Sequence, residues 1–467
     1  MVQKGKGVSL KHRIAKINWI WIILIYAALL RFSFLGSQPL WIDEQISASV
    51  MQSILSSGKP MLPSGSFYGR ALIFHYASAL FSLPFSFLGL YAFRIFSIII
   101  GIAFVYVLFL IGKELSNKYL PWILALLSCL SSVFILYSQQ SRFYLFLMFL
   151  IALEMLFVLR KKRVLATIAF LVALETHLQA FFFVLPLLFS WIKWLSEKRI
   201  KHKKLFISLL VIATLLLALT SIASLANNIS FDYFWRHLAR AFSFLMANMR
   251  YSLYFALAGI LFILFKHKRL FLYLYLPSLI SFFGVLLLDR FETRYLFILF
   301  FPLMLSFGYL FDWLAQKLDA KIILSGLVLF VLLSSTLFDP LIAPYTLFPK
   351  PVYNLDRTMP DMDYEALFSK VKLKNITLVS GWALGPYLYG HKPDYSIPFS
   401  MTGHVSDSTF QNGSEKYTGV PAFPQDFDKE YYLLLDNYAL SKLRRNYAKE
   451  NCSQLYYQGG LRLFYCS

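Results

Sequence analysis

Apolar residues in this chain gather in stretches of about 17 to 22, not at the three- and four-residue spacing of a surface helix. Stretches of that length match the hydrocarbon core of a bilayer, where only segments that satisfy their own backbone hydrogen bonds are stable. The architecture is therefore expected to be all-α and polytopic. Composition agrees, with 58% hydrophobic and 15% charged residues. The 47 Phe and 29 Tyr suit interfacial belts and cavities that handle long lipids. A net charge of +21 could suggest nucleic acid, but Lys and Arg sit in short loops beside the apolar stretches. That is the distribution left by positive-inside topology, so a membrane and no nucleic-acid partner is expected.

Eleven segments read as spans: 17–36, 95–112, 121–137, 142–159, 163–176, 178–195, 204–224, 251–265, 270–288, 294–313 and 321–338. A twelfth apolar run, 71–90, sets the parity of everything after it. If it does not cross, the basic loops 113–118, 160–163, 193–204, 266–269 and 317–321 share one side with the basic N-terminus (Lys4, Lys6, Lys11, Arg13, Lys16). If it crosses, they all face away from that N-terminus. The run is also broken by Pro84 and carries His75, so it is expected to lie in the outer interface. The expected location is a plasma (inner) membrane with a cytoplasmic N-terminus. Loops 37–70, 137–142, 175–177, 226–250 and 289–294, which carry isolated acids, arginines and histidines, are then all outside. Loop 226–250 has the spacing of an amphipathic interfacial helix. Glu154 lies within a span, six residues from Arg160, where it could reach the cytoplasmic charges.

Past residue 338 the apolar runs stop and Pro, Asp, Asn and Gly rise. Residues 1–338 are expected to form the transmembrane domain and 339–467 a small α/β domain outside the cell. In it, helices are expected at 363–372 and 439–449, strands at 376–380 and 431–435, and a hairpin at 453–465 turning at Gly459-Gly460. Cys452 and Cys466 flank that hairpin and could form a disulfide in an oxidising compartment. Cys129 sits in an apolar run as a packing residue. No cysteine pair has metal-ligand spacing.

The sharpest local feature is Trp41-Ile42-Asp43-Glu44 after the first span. Adjacent carboxylates at a membrane surface are costly unless solvated or paired, although Asp and Glu also suit a helix N-terminus. Other polar segments follow in order: Phe67-Tyr68-Gly69-Arg70-Ala71-Leu72, Tyr91-Ala92-Phe93-Arg94, Tyr137 to Tyr144 containing Gln139-Gln140-Ser141-Arg142, and Arg294-Tyr295-Leu296.

These segments, in this order and on one expected face, resemble the protein O-mannosyltransferase superfamily. Its bacterial relatives include the lipid A aminoarabinose transferase. The resemblance covers most of 17–310. It implies a C-type membrane fold and an inverting glycosyltransferase using a polyprenyl-phosphate-linked sugar, with a glycan, lipid or protein as acceptor. Carried onto this sequence, Asp43 becomes the catalytic base and Glu44 a second catalytic carboxylate, which orients Asp43 or the acceptor; exchanged roles stay open.

Outward arginines would meet the donor phosphate, because a guanidinium fork pairs with phosphate oxygens and does not titrate. The candidates are Arg70, Arg94, Arg142, Arg290 and Arg294. Arg70 stands where the relatives carry a Lys-Pro-Pro-like segment, and Arg94 could equally be an interfacial snorkel. Tyr144, His177 and Tyr295 are candidate substrate contacts. The resemblance implies no cofactor and no catalytic metal, and no acid beyond Asp43-Glu44 offers a third ligand. The alternative is a transporter or flippase of lipid-linked sugars, which ordinarily carries polar, broken helices at mid-membrane.

Overall fold

A computed structural model of the chain describes residues 19–33, 35, 36, 38–116, 118–197, 233–249, 251–288, 291–333, 363–373, 376–380, 384–396, 430–436, 452–458 and 461–466. The basic N-terminal segment, the seventh expected span 204–224, Arg290, the expected boundary at 338, the helix expected at 439–449 and the Gly459-Gly460 turn lie outside the described residues.

The other expected spans are helical. They are α1 Trp19–Phe32, α4 Ile95–Leu115, α5 Leu120–Leu130 with α6 Ser132–Ser138, α7 Tyr144–Leu159, α8 Arg163–Thr176, α9 Val184–Glu197, α11 Tyr251–Lys266, α12 Leu276–Leu286, α13 Phe300–Lys317 and α14 Ala320–Leu333. Between the first two lie α2 Ile42–Ser57 and α3 Leu72–Ser82, and α10 Phe234–Met249 precedes α11. Among the described residues, four continuous helical stretches are long and apolar enough to cross a membrane: Leu72–Leu115, Leu178–Glu197, Lys268–Leu286 and Thr293–Lys317. Their outward faces are apolar, with Leu80, Phe87 and Phe283 among the exposed side chains.

The ambiguous run 71–90 is not one straight helix. At about 1.5 Å per residue, α3 is roughly 16 Å long, half of a ~30 Å hydrocarbon core. It passes into a 3-10 segment, Leu83–Arg94, that bends at Phe85 and again at Gly89, whose φ of 58° is open to glycine. The bend delivers Arg94 to the start of α4.

The expected third span is also broken. Ser131 leaves helical geometry (φ −58°, ψ 119°), ending α5 and capping α6 by accepting the Phe134 N–H. The break strands carbonyls that have no helical partner. Arg31 of α1, fully buried, donates to Ser128 O (2.9 Å) and Cys129 O (3.2 Å). Gly101 of α4 admits it: a Cβ there would stand 2.9 Å from Arg31 Nε and 2.6 Å from Ser138 Cβ. The N-terminus of α5 is capped from outside by Asp312 of α13, whose Oδ1 accepts the Tyr119 and Leu120 N–H groups at 3.0 Å each.

The C-terminal strands β1 Thr377–Ser380, β2 Tyr395–Ser396, β3 Tyr431–Asp436, β4 Cys452–Gln458 and β5 Leu461–Cys466 form one mixed sheet, ordered β2-β1-β3-β5-β4. β1 is parallel to β2 and β3, and β5 is antiparallel to β3 and β4. Cys452 and Cys466 are opposite residues in the β4–β5 pair and are disulfide-bonded. Two helices, α15 Tyr364–Lys370 and α16 Leu384–Leu388, accompany the sheet. α16 packs on α2, and Tyr91 donates a hydrogen bond to Glu365 of α15, so this unit sits at the end of the bundle that carries Asp43.

Candidate functional site

Asp43 and Glu44 occupy the first turn of α2, where the helix dipole favours anions. Tertiary contacts then separate the two carboxylates. Glu44 is wholly buried and Arg94 grips it bidentately, Nε to Oε1 at 2.9 Å and Nη2 to Oε2 at 2.8 Å. Oε1 also accepts the Ser141 N–H at 2.7 Å. The remaining Arg94 donors go to Leu35 O (2.8 Å), Gln38 O (3.0 Å) and Pro39 O (3.3 Å). All five N–H groups are thus committed within the chain. This corrects the expectation that Arg94 meets the donor phosphate: it is no snorkel either, but the clamp that ties the 35–39 loop to α2. Glu44, with no solvent contact, is likewise committed to partners within the chain.

Asp43 keeps partial access, with its side chain 13% exposed. Its Oδ2 lies 3.3 Å from Arg142 Nη2 and 3.3 Å from Arg294 Nη1. Arg142 comes from the loop before α7, and Arg294 from the 3-10 segment Thr293–Leu299. Aromatic faces fix both guanidinium planes: Arg142 lies over Phe143 at 4.6 Å and Arg294 over Trp41 at 5.4 Å. Tyr144 is hydrogen-bonded to Arg142.

A chain of side chains runs behind this pair. Arg142 Nη1 donates to Ser47 Oγ at 2.9 Å, and Ser47 Oγ lies 3.3 Å from His75 Nε2. His75 Nδ1 is 2.8 Å from Ala71 O, which needs a proton on Nδ1; Nε2 is then the acceptor for the Ser47 hydroxyl. No motif in the sequence marks His75 or Ser47 for this chain of contacts. Position alone offered a signal, since Ser47 is one helical turn from Asp43 on the same face of α2.

His177, Tyr295 and Arg70 form the other wall. The His177 ring sits 5.8 Å from Phe143 and 5.8 Å from Tyr295. Its Nδ1 accepts the Gln179 N–H (3.2 Å), and Gln179 Nε2 donates to Tyr295 O (2.9 Å), so one glutamine fixes both residues. Burial first, then the charges of Arg70 and Arg142, lower the His177 pKa to about 4, so the ring is neutral at physiological pH. Arg70 is exposed, acts electrostatically on His177 and Tyr295, and forms no ion pair among the described residues. Glu175 of α8 accepts the Leu72 N–H, anchoring α3 beside Arg70.

Another expectation resolves differently. Glu154 does not reach Arg160, because residues six apart lie about 240° around a helix. It is buried with neither oxygen hydrogen-bonded among the described residues, while Arg160 pairs with Glu114 at 2.7 Å. Within the expected amphipathic interfacial stretch, the described helix α10 is held against the bundle by His237 Nδ1 to Leu286 O (3.0 Å) and by Arg240 over Phe291 (5.7 Å), just before the Arg294 segment. Among the described residues no three His, Cys, Asp or Glu side chains are grouped to hold a metal ion.

No protein-family model and no curated protein sequence matches this chain. Solved structures share its fold. ArnT from Cupriavidus metallidurans bound to undecaprenyl phosphate aligns with a TM-score of 0.54 at 11% identity, over 96% of this chain and 98% of that one. The archaeal oligosaccharyltransferase AglB from Archaeoglobus fulgidus, in complex with an inhibitory peptide and a dolichol-phosphate, aligns with a TM-score of 0.54 at 11% identity, over 96% of this chain and 74% of that one. At these identities the likeness is one of fold.

Proposed function

We propose, starting from that shared fold, that the chain is an integral membrane glycosyltransferase of the inverting type. It takes a sugar from a polyprenyl-phosphate carrier and passes it to an acceptor hydroxyl on the non-cytoplasmic face. The observation that carries this reading is the state of Asp43: a partly accessible carboxylate whose Oδ2 is held by two guanidiniums from distant segments. Both pairs are made through Oδ2, which leaves Oδ1 for an acceptor hydroxyl.

In the reaction, Oδ1 takes the hydroxyl proton as the acceptor oxygen bonds to the anomeric carbon. The bond from that carbon to the phosphate oxygen breaks on the opposite face, and its electron pair goes to the phosphate. In this reading Arg70, exposed and without an ion pair among the described residues, receives that charge, and Arg142 and Arg294 supply further positive field. Neutral His177 and Tyr295 offer a wall with hydrogen-bonding groups and ring faces suited to a sugar. Solved structures of the same fold hold undecaprenyl phosphate and dolichol-phosphate, which supports a lipid-linked donor.

Asp43→Asn tests the proposal. Cells carrying this variant in place of the native chain are expected to accumulate a lipid-linked sugar by mass spectrometry, with turnover down by roughly 10²- to 10⁴-fold. The purified variant is expected to retain undecaprenyl phosphate. Full function in the variant would sink the mechanism and favour a transport role.

A further inference from the structure

The end of the bundle opposite Asp43 carries a polar cavity that the proposed reaction does not use. Helix α7 connects the two ends: Tyr144 stands beside Arg142, and Leu159, at the far end of this helix and about 1.5 Å further per residue, lines the cavity roughly 22 Å away. The cavity holds about 600 Å³. Its wall includes six cations, Lys161, Arg163, Lys193, Lys266, Lys268 and Arg269, and one carboxylate, Glu197. That carboxylate is 3.8 Å from Lys193. Lys161, Lys266, Lys268 and Arg269 pair with no described carboxylate.

Basic residues at helix ends are ordinary, since they complement the dipole and follow topology. Both reasons apply to Lys161, but neither calls for a side chain at its backbone position. It closes α7 in the left-handed region at φ 58°, the terminal position that glycine commonly fills. The closing bonds are Lys161 N–H to Val158 O (3.0 Å) and Lys162 N–H to Phe157 O (2.8 Å). A side chain there strains the backbone, and this one adds an ammonium to the cavity wall. Arg163 fixes the neighbouring wall rigidly, with Nε donating to Ser190 O (3.0 Å) and its plane over Trp194 (6.0 Å).

We infer that this cavity binds the phosphate of an anionic phospholipid headgroup. A phosphate is the group several converging, unpaired cations recognise. A lipid source is indicated by the apolar lining, Leu115, Val158 and Leu159, and by Phe265, which is 74% exposed at the edge. A soluble anion would find no use for that surface.

Native mass spectrometry of the full chain in detergent tests this with phosphatidylglycerol, phosphatidylcholine and inorganic phosphate as separate probes. Phosphatidylglycerol is expected to be retained at least about tenfold over phosphatidylcholine. Lys161→Gly is expected to remove most of that preference while leaving thermal stability unchanged or raised, because glycine relieves the strain. Lys268→Ala with Arg269→Ala provides a second variant with the same expected loss. Equal retention of the two lipids, or an undiminished preference in both variants, would overturn the inference. Displacement of phosphatidylglycerol by millimolar phosphate would reassign the site to a soluble anion and overturn the lipid source.

Discussion

Glu44 and Arg94 face each other as a bidentate ion pair with 0% and 2% of their side chains exposed, the closest contact being 2.8 Å. The pair joins the start of α2 to the start of α4, and through Ser141 to the loop that supplies Arg142. Its consequence is positional, because Asp43 is the neighbour of Glu44 in the same turn.

Removing one member of a buried, hydrogen-bonded pair leaves an uncompensated charge, at a cost of about 3–5 kcal/mol. Glu44→Gln and Arg94→Lys are therefore both expected to lower the thermal unfolding midpoint of the purified protein. Lysine cannot supply five directed donors, so the conservative change is no rescue. An unaltered midpoint in Arg94→Lys would refute the clamp.

Arg70 gives the opposite signature. It is exposed and forms no ion pair among the described residues, so Arg70→Ala is expected to leave the unfolding midpoint unchanged. Retention of undecaprenyl phosphate is expected to fall about tenfold or more, the scale of a lost charge-assisted hydrogen bond at ~1.5–3 kcal/mol. Undiminished retention would remove Arg70 from the phosphate site.

Ser47 connects Arg142 to His75, accepting from one and donating to the other. Ser47→Ala leaves a buried donor and a buried acceptor without partners, about 1–3 kcal/mol in total effect. The expected result is turnover reduced about tenfold with undecaprenyl phosphate retention nearly unchanged, since Arg142 keeps its contact to Asp43 O at 3.1 Å. Equal losses in turnover and retention would show that Ser47 acts on the whole site and not through Arg142.

His177 carries a pH dependence of stability. Its pKa is about 4 in the folded chain against 6.5 for an ordinary histidine. Between those values the unfolded chain binds the proton and the folded chain does not, so stability is full above pH 6.5 and falls as pH drops toward 4. His177→Gln removes this contribution, and its unfolding midpoint is expected to vary less with pH across that window. Parallel midpoint curves for the two proteins would contradict a buried, neutral ring.

Much of the scaffold was legible because membrane helices answer to local rules. Segments picked by hydrophobic length are helical where they are described, and the hairpin carrying Cys452 and Cys466 followed from strand and turn composition. Where two rules competed, reading one dimension was insufficient. Residues 121–137 looked continuous because an apolar run does not reveal a backbone break, and Ser131 makes one that Arg31 then caps.

The same division holds at the site. The sequence by itself determined that Asp43, Glu44 and a set of arginines lie at the ends of apolar helices, because charge is expelled from hydrocarbon and must collect there. Tertiary structure alone decided their partners: Arg94 with Glu44 across 50 residues, Arg142 with Asp43 across 99. Two adjacent carboxylates are chemically alike in the chain. Packing buried Glu44 among donors that satisfy it and left Asp43 partly open, and solvent access is a property that only the assembled fold confers.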